Sequence, residues 1–165
     1  MEIIIDGYNL IGSGGGLTGN LEPKRNWLVQ KLASYRRAKG HDITVVFDGW
    51  RSGSTNQVEE KRDDVGIVYS RVGERAESVI VRLARKKGSG CVVVTSDREV
   101  RNAVERFGVV ALYASQFSAI LNDRFESFND GQPEHDNPVT RKRGNPRRLS
   151  KKERKRREKL QKLSW

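Results

Sequence analysis

Five short apolar runs punctuate the chain, at residues 2–5, 43–47, 65–69, 91–95 and 109–112. Ile and Val dominate them and alternation with polar residues is weak, the pattern of strands covered on both faces of a parallel sheet. Between the runs the apolar period lengthens to that of helices. Residues 22–39 carry Trp27, Leu28, Leu32 and Tyr35 on one face, with Pro23 near the start and Gly40 at the end. Residues 74–87 place Ala76, Val79, Ile80, Leu83 and Ala84 at helical spacing before Gly88. Ser96-x-x-Glu99 reads as a capping box opening a helix with Val100, Ala103, Val104 and Phe107 inward and Gly108 as its stop. A last helix begins near Ser115, with Phe117, Ile120, Leu121 and Phe125 on its apolar face. Strands alternating with helices predict a three-layer α/β/α sandwich around a mostly parallel, five-stranded sheet.

After residue 128 the pattern stops. Residues 129–150 hold three prolines and no apolar period, which predicts a linker between the domain at 1–128 and a basic tail at 151–165. The tail reads either as a solvated helix or as a segment that orders on a partner. The net charge of +11 belongs to this end of the chain: residues 139–165 carry 13 Lys/Arg against Glu153 and Glu158, leaving 19 bases and 19 acids for the rest. A cationic appendage on a neutral body suits a polyanion, and neutralised phosphates release counterions without any reading of sequence. Arg141, Lys142, Arg143, Arg147, Arg148, Lys151, Lys152, Arg154, Lys155, Arg156 and Arg157 are the expected contacts to the phosphates of a nucleic acid. No Trp/Phe/Leu face accompanies the charge, which disfavours a membrane surface, and no stretch approaches the length of a membrane span. Without a basic, apolar leader at residues 1–6, the chain is expected to be cytoplasmic. Cys91 lies in an apolar run and behaves as a small hydrophobe; His41 and His135 have no Cys or His partner at zinc spacing.

Parallel sheets bind ligands beyond the carboxyl ends of their strands. Read there, the first run ends in Asp6 within Asp6-Gly7-Tyr8-Asn9, the second in Asp48-Gly49, and the fourth in Thr95-Ser96-Asp97. The helix after the third run carries Glu74 and Glu77 in its expected first turn. Any one of these acids is equally a turn former or a helix cap, and Asp97 sits beside the capping Ser96. Together they could bring carboxylates to one rim. Oxygen ligands suit Mg²⁺ or Mn²⁺, and phosphodiester cleavage is chemistry those ions support. Asn9 would orient a carboxylate or a water without adding charge.

Ile5-Asp6-Gly7-Tyr8-Asn9-Leu10-Ile11-Gly12, Val45-Val46-Phe47-Asp48-Gly49, Ala76-Glu77 with Ile80, Leu83 and Ala84, and Val93-Val94-Thr95-Ser96-Asp97 follow one another in an order that resembles the YacP-like group of NYN-domain nucleases, relatives of PIN domains. The resemblance covers about residues 1–125. It implies an endoribonuclease in which Asp6, Glu77 and Asp97 bind metal, Asn9 is their polar neighbour and Asp48 a further acid. It also implies messenger or ribosomal RNA as partner, with the ribosome as a setting. One position departs from the pattern: family members commonly read Ala-Asp-Glu where this chain reads Ala76-Glu77-Ser78, so one charge is lost. That loss keeps a rival in play, a non-catalytic RNA- or ribosome-binding protein on the same scaffold, with a DNA nuclease as a third option.

Two loops complete the reading. Gly12-Ser13-Gly14-Gly15-Gly16 lacks the Gly-Lys-Ser/Thr ending of a phosphate loop and reads as a flexible connector. Residues 50–64 read as a long polar loop leaving the rim, with Trp50 either a base-stacking platform or a side chain tucked against the body.

Overall fold

The computed structural model describes residues 1–14, 16–49, 55–126 and 150–165, with the backbone alone at 124–126. In chain order the elements are β1 (Glu2–Asp6), α1 (Gly7–Ser13), α2 (Leu21–Lys39), β2 (Asp42–Phe47), β3 (Val58–Arg62), β4 (Val65–Tyr69), α3 (Ala76–Lys87), β5 (Cys91–Val94), α4 (Arg98–Glu105), β6 (Val110–Leu112), α5 (Ala114–Glu126) and α6 (Lys151–Leu163). The sheet has six strands in the order β3-β4-β2-β1-β5-β6, parallel throughout except for the β3–β4 pair.

The apolar runs look uniform because both sides of the sheet are covered, yet the pleat still alternates. Ile3, Ile5, Val45, Phe47, Val92 and Val94 face one core with α1, α2, α5 and α6. Ile4, Val46, Val68, Cys91 and Val93 face the other, against Val79 and Ile80 of α3 and Val100 and Val104 of α4. Burial pushes the Cys91 thiol up to about 11, so it stays protonated, as a small core hydrophobe should.

Several local expectations are corrected. The sheet gains an edge strand, β3, inside the segment read as a loop. All five of its residues are exposed and four are charged, so no apolar period marks it. It is held by its ladder to β4 through a two-residue hairpin in which Asp63 and Asp64 both take positive φ, 49° and 67°. The charged edge also discourages pairing with another chain. A short helix, α1, follows β1 directly. Trp27 is 56% exposed rather than on the core face of α2, and Phe107 is exposed past the end of α4. The cap of α4 is Asp97, whose carboxylate accepts from Val100 N–H at 2.9 Å, while the Ser96 hydroxyl accepts from Ala114 N–H.

The basic C-terminal segment packs on the body. Ser150 and Glu153 form a capping box that opens α6. At its far end Leu163 is fully buried, its carbonyl accepts from Tyr35 Oη at 2.8 Å, and the Trp165 indole donates to Ile120 O. Arg156 Nε donates to Ala111 O, a carbonyl on the outer edge of β6, so α6 covers that edge of the sheet. The expected RNA contacts Arg141, Lys142, Arg143, Arg147 and Arg148, the linker at 129–149, and Trp50 with residues 51–54 lie outside the described residues.

Candidate active site at the carboxyl rim of the sheet

The strand order reverses beside β1: the chain moves from β1 to β2 and β4 on one side, then crosses to β5 on the other. The crevice at the carboxyl ends of β1 and β5 is therefore the switch point where such sheets take ligands. Pleat parity decides which face the rim residues share. Ile4, Val46 and Val93 point toward α3 and α4, and two residues further on Asp6, Asp48 and Thr95 keep that direction. Hydrogen bonds agree with the parity. Thr95 Oγ1 donates to Asp6 Oδ2 at 3.1 Å, and Ala76 N–H, in the first turn of α3, donates to Asp48 Oδ1 at 2.7 Å.

Asp6 is the centre of this group. It is 8% exposed, and its Oδ1 accepts from Asn9 N–H at 3.2 Å, which caps α1. Burial pushes its carboxyl up to about 6; the bonds from Asn9 and Thr95 oppose that rise, while the charges of Glu77 and Asp48 add to it. Asp48 is half-buried and caps α3 from a distance, since Arg75 at that helix's N-cap offers no side-chain bond. Glu77 sits one residue inside α3, half-exposed, 3.7 Å from Arg75. Asp97 donates its N–H to Thr95 Oγ1, the hydroxyl that holds Asp6, and its carboxylate caps α4. Asn9 Oδ1 accepts from Ser96 N–H at 2.9 Å, tying α1 to the loop that carries Asp97.

Asp6, Asn9, Asp48, Glu77 and Asp97 thus lie along one rim. The capping role holds: three of the four acids satisfy helix N-termini with one oxygen each. Among the described residues, no three His, Cys, Asp or Glu side chains stand close enough to hold a metal ion as they are. Glu74 does not join them. It precedes α3 and pairs with Arg82 at 2.5 Å and Arg71 at 3.5 Å.

Two glycines fix the rim backbone. A Cβ on Gly49 would lie 1.6 Å from Ser70 O, and one on Gly7 would lie 2.2 Å from the Phe47 ring. Asp6 and Asp48 are therefore each followed by a residue that lets the chain turn against its neighbour. Thr95 and Ser70 carry roles that sequence reasoning did not assign. Thr95 serves two acids, and the fully buried Ser70 accepts from Gly49 N–H at 3.0 Å. Strand parity was the available signal for Thr95; Ser70 left none.

Comparison with known proteins bears on the fold and the family. The chain is 30% identical to "Uncharacterized protein YacP" of Bacillus subtilis (strain 168) over 122 residues, covering 68% of this chain and 69% of that one. Its fold matches the crystal structure of a point mutant of Rae1 (YacP) from Bacillus subtilis with a TM-score of 0.62 and 26% identity, covering 76% of this chain and 79% of the other. A family model described as YacP-like NYN domain matches residues 3–163. That match extends past the body through α6, and the chain belongs to the YacP-like NYN domain family of the NYN nucleases.

Proposed function

We propose that this chain is a divalent-metal-dependent endoribonuclease that hydrolyses RNA phosphodiester bonds at the carboxyl rim, with messenger RNA on the ribosome as a candidate substrate. The observation that carries the reading is the buried Asp6 carboxyl, held at the switch point and pushed up to about 6 by burial and then by its acidic neighbours. A site built this way is unfavourable when empty of positive charge, and a cation relieves it. The donor set contains only oxygens, which fits Mg²⁺ or Mn²⁺.

Asp6, Glu77 and Asp97 would hold the ion, with Asp48 as a further acid. When bound, the ion supplies positive charge beside the scissile phosphate and activates water for attack. The chain's own residues do the positioning. The Asn9 N–H and Thr95 hydroxyl fix both oxygens of Asp6; Asn9 Oδ1 anchors the Ser96 backbone and so places Asp97; the Ala76 N–H holds Asp48 beside Glu77.

Labelled single-stranded and structured RNAs, incubated with Mg²⁺ or Mn²⁺ and separately with a chelator, test the reading. Internal cleavage that needs the metal and is lost in Asp6→Asn supports it. An Asp6→Asn protein that cuts at the parental rate overturns it. Ser78, exposed where relatives commonly carry a second acid, favours the rival reading of a non-catalytic RNA- or ribosome-binding protein, for which tight binding without cleavage under any metal is the signature.

A further inference from the structure

Where α6 meets the body, a groove of about 400 Å³ runs between its first turns and the β6 edge, lined by Glu105, Val109, Lys151, Lys152, Lys155 and Arg156 among others. Four cations face one acid there, a net of +3. They are not equivalent. Lys152 and Arg156 pair with Glu105 at 2.6 and 3.4 Å, and Arg156 is only 18% exposed, so these two secure α6 to the body. Lys151 and Lys155 are exposed, and among the described residues neither forms an ion pair.

The groove also points somewhere. Glu105 ends α4 and Asp97 caps its start, so the groove and the acid rim stand at opposite ends of an eight-residue helix, about 12 Å apart at 1.5 Å per residue. Between them lies Tyr113, directly after β6 and 37% exposed. The Arg101 guanidinium stacks 3.7 Å from its ring centroid, and Arg156 lies 5.5 Å away. Arg101 Nε is itself buried, so the guanidinium is held firmly against the Tyr113 ring.

We infer that this groove and the Tyr113–Arg101 stack form a track for single-stranded RNA, with Lys151 and Lys155 on its phosphates and Tyr113 under one base, leading a strand along α4 to Asp97. The track deepens the nuclease reading and rests on it. Single strands are held in this way elsewhere, by cations along the backbone and aromatic faces under bases. It also gives α6 a second role. The helix is a wall of fixed position, so the RNA it holds lies at a set distance from the acids.

The test uses the full-length protein and a short labelled oligouridylate, with chelator present so that nothing is cut. Lys151→Gln with Lys155→Gln is expected to weaken binding about tenfold and to lower the slope of log affinity against log salt by about 1.4, at about 0.7 per phosphate contact on a single strand. The charge-matched pair Arg37→Gln with Lys86→Gln, on other surfaces, leaves both unchanged. Tyr113→Ala weakens binding about tenfold through lost stacking, and Tyr113→Phe, which keeps the ring, restores it. Thermal melts confirm folding of each variant. Parental affinity in both the lysine pair and Tyr113→Ala overturns the track while leaving metal-dependent cleavage standing. Losses as expected, in a protein that never cuts RNA, keep the track and sink the nuclease reading. Binding to phosphatidylserine vesicles with no affinity for the oligonucleotide overturns the track as well.

Discussion

The acid rim and the basic helix α6 are built on opposite principles. At the rim, each charged group is individually placed: Asp6 is buried and doubly hydrogen-bonded, and Asp48 and Asp97 each hold a helix N-terminus. On α6 only one stripe is fixed, through Lys152, Arg156, Leu160 and Leu163, while Arg154 and Arg157 point to solvent. Like charges gathered by burial raise the free energy of the empty rim, and a cation can lower it. Like charges spread along a solvated helix face are screened and cost little. The rim should therefore fail at single substitutions, and the cationic surface should decline by degrees.

The largest expected contrast lies at Asp97, which both caps a helix and carries charge at the rim. Asp97→Asn keeps an oxygen for the Val100 N–H but removes the charge, and RNA cleavage is expected to fall on the order of 10³-fold with little change in melting temperature. Asp97→Ala loses both and should in addition cost about 1 kcal/mol of stability. Equal cleavage in Asp97→Asn and the parent would make Asp97 a cap alone.

Next in size is the seat of α6. Leu163→Ala, at a fully buried position, is expected to cost about 2–5 kcal/mol by denaturant unfolding. Deleting the C-terminal segment is consequently no clean test of RNA binding, because it strips a covering from the core and from the β6 edge.

The rim also sets a pH dependence. Asp6 has its folded-state carboxyl pushed up from 3.8 to about 6, so between those values the native state holds a proton that the unfolded state has lost. Stability from this group is full below about pH 4, falls as pH rises to about 6, and is then flat, a total of about 3 kcal/mol. In chelator, the stability difference between Asp6→Asn and the parent should grow across that window in favour of the variant and vanish below it. A difference independent of pH would show that the rim does not strain Asp6. Smallest of all, Arg154→Ala on the exposed face of α6 should shift stability by no more than about 0.5 kcal/mol.

Much of this is legible in the sequence. The apolar runs mark five of the six strands, and the residues that follow them include Asp6, Asp48 and Asp97. The strand β3 escapes because it contributes nothing to a core; its mark is the Asp63-Asp64 hairpin, not hydrophobicity. Trp27 misleads because helical period alone does not say where the apolar stripe stops, and an exposed Trp at its border fits the period as well as a buried one. The docking of α6 is hidden for a related reason: two leucines and a terminal tryptophan among eight cations between Lys151 and Trp165 are too sparse to read as a core face. That Asp48 caps α3 while Glu74 turns to Arg82 depends on where α3 starts, and helix starts are poorly fixed by pattern.

The claim beneath the rest is that the carboxylates around Asp6 close on a divalent ion. Calorimetric titration of Mn²⁺ into the parent and into Asp6→Asn at about pH 7.5, well above the Asp6 titration, measures this without RNA. The account expects saturable binding to the parent and its loss, or a weakening of at least about a hundredfold, in the variant. Equal Mn²⁺ affinity in the two proteins would contradict it.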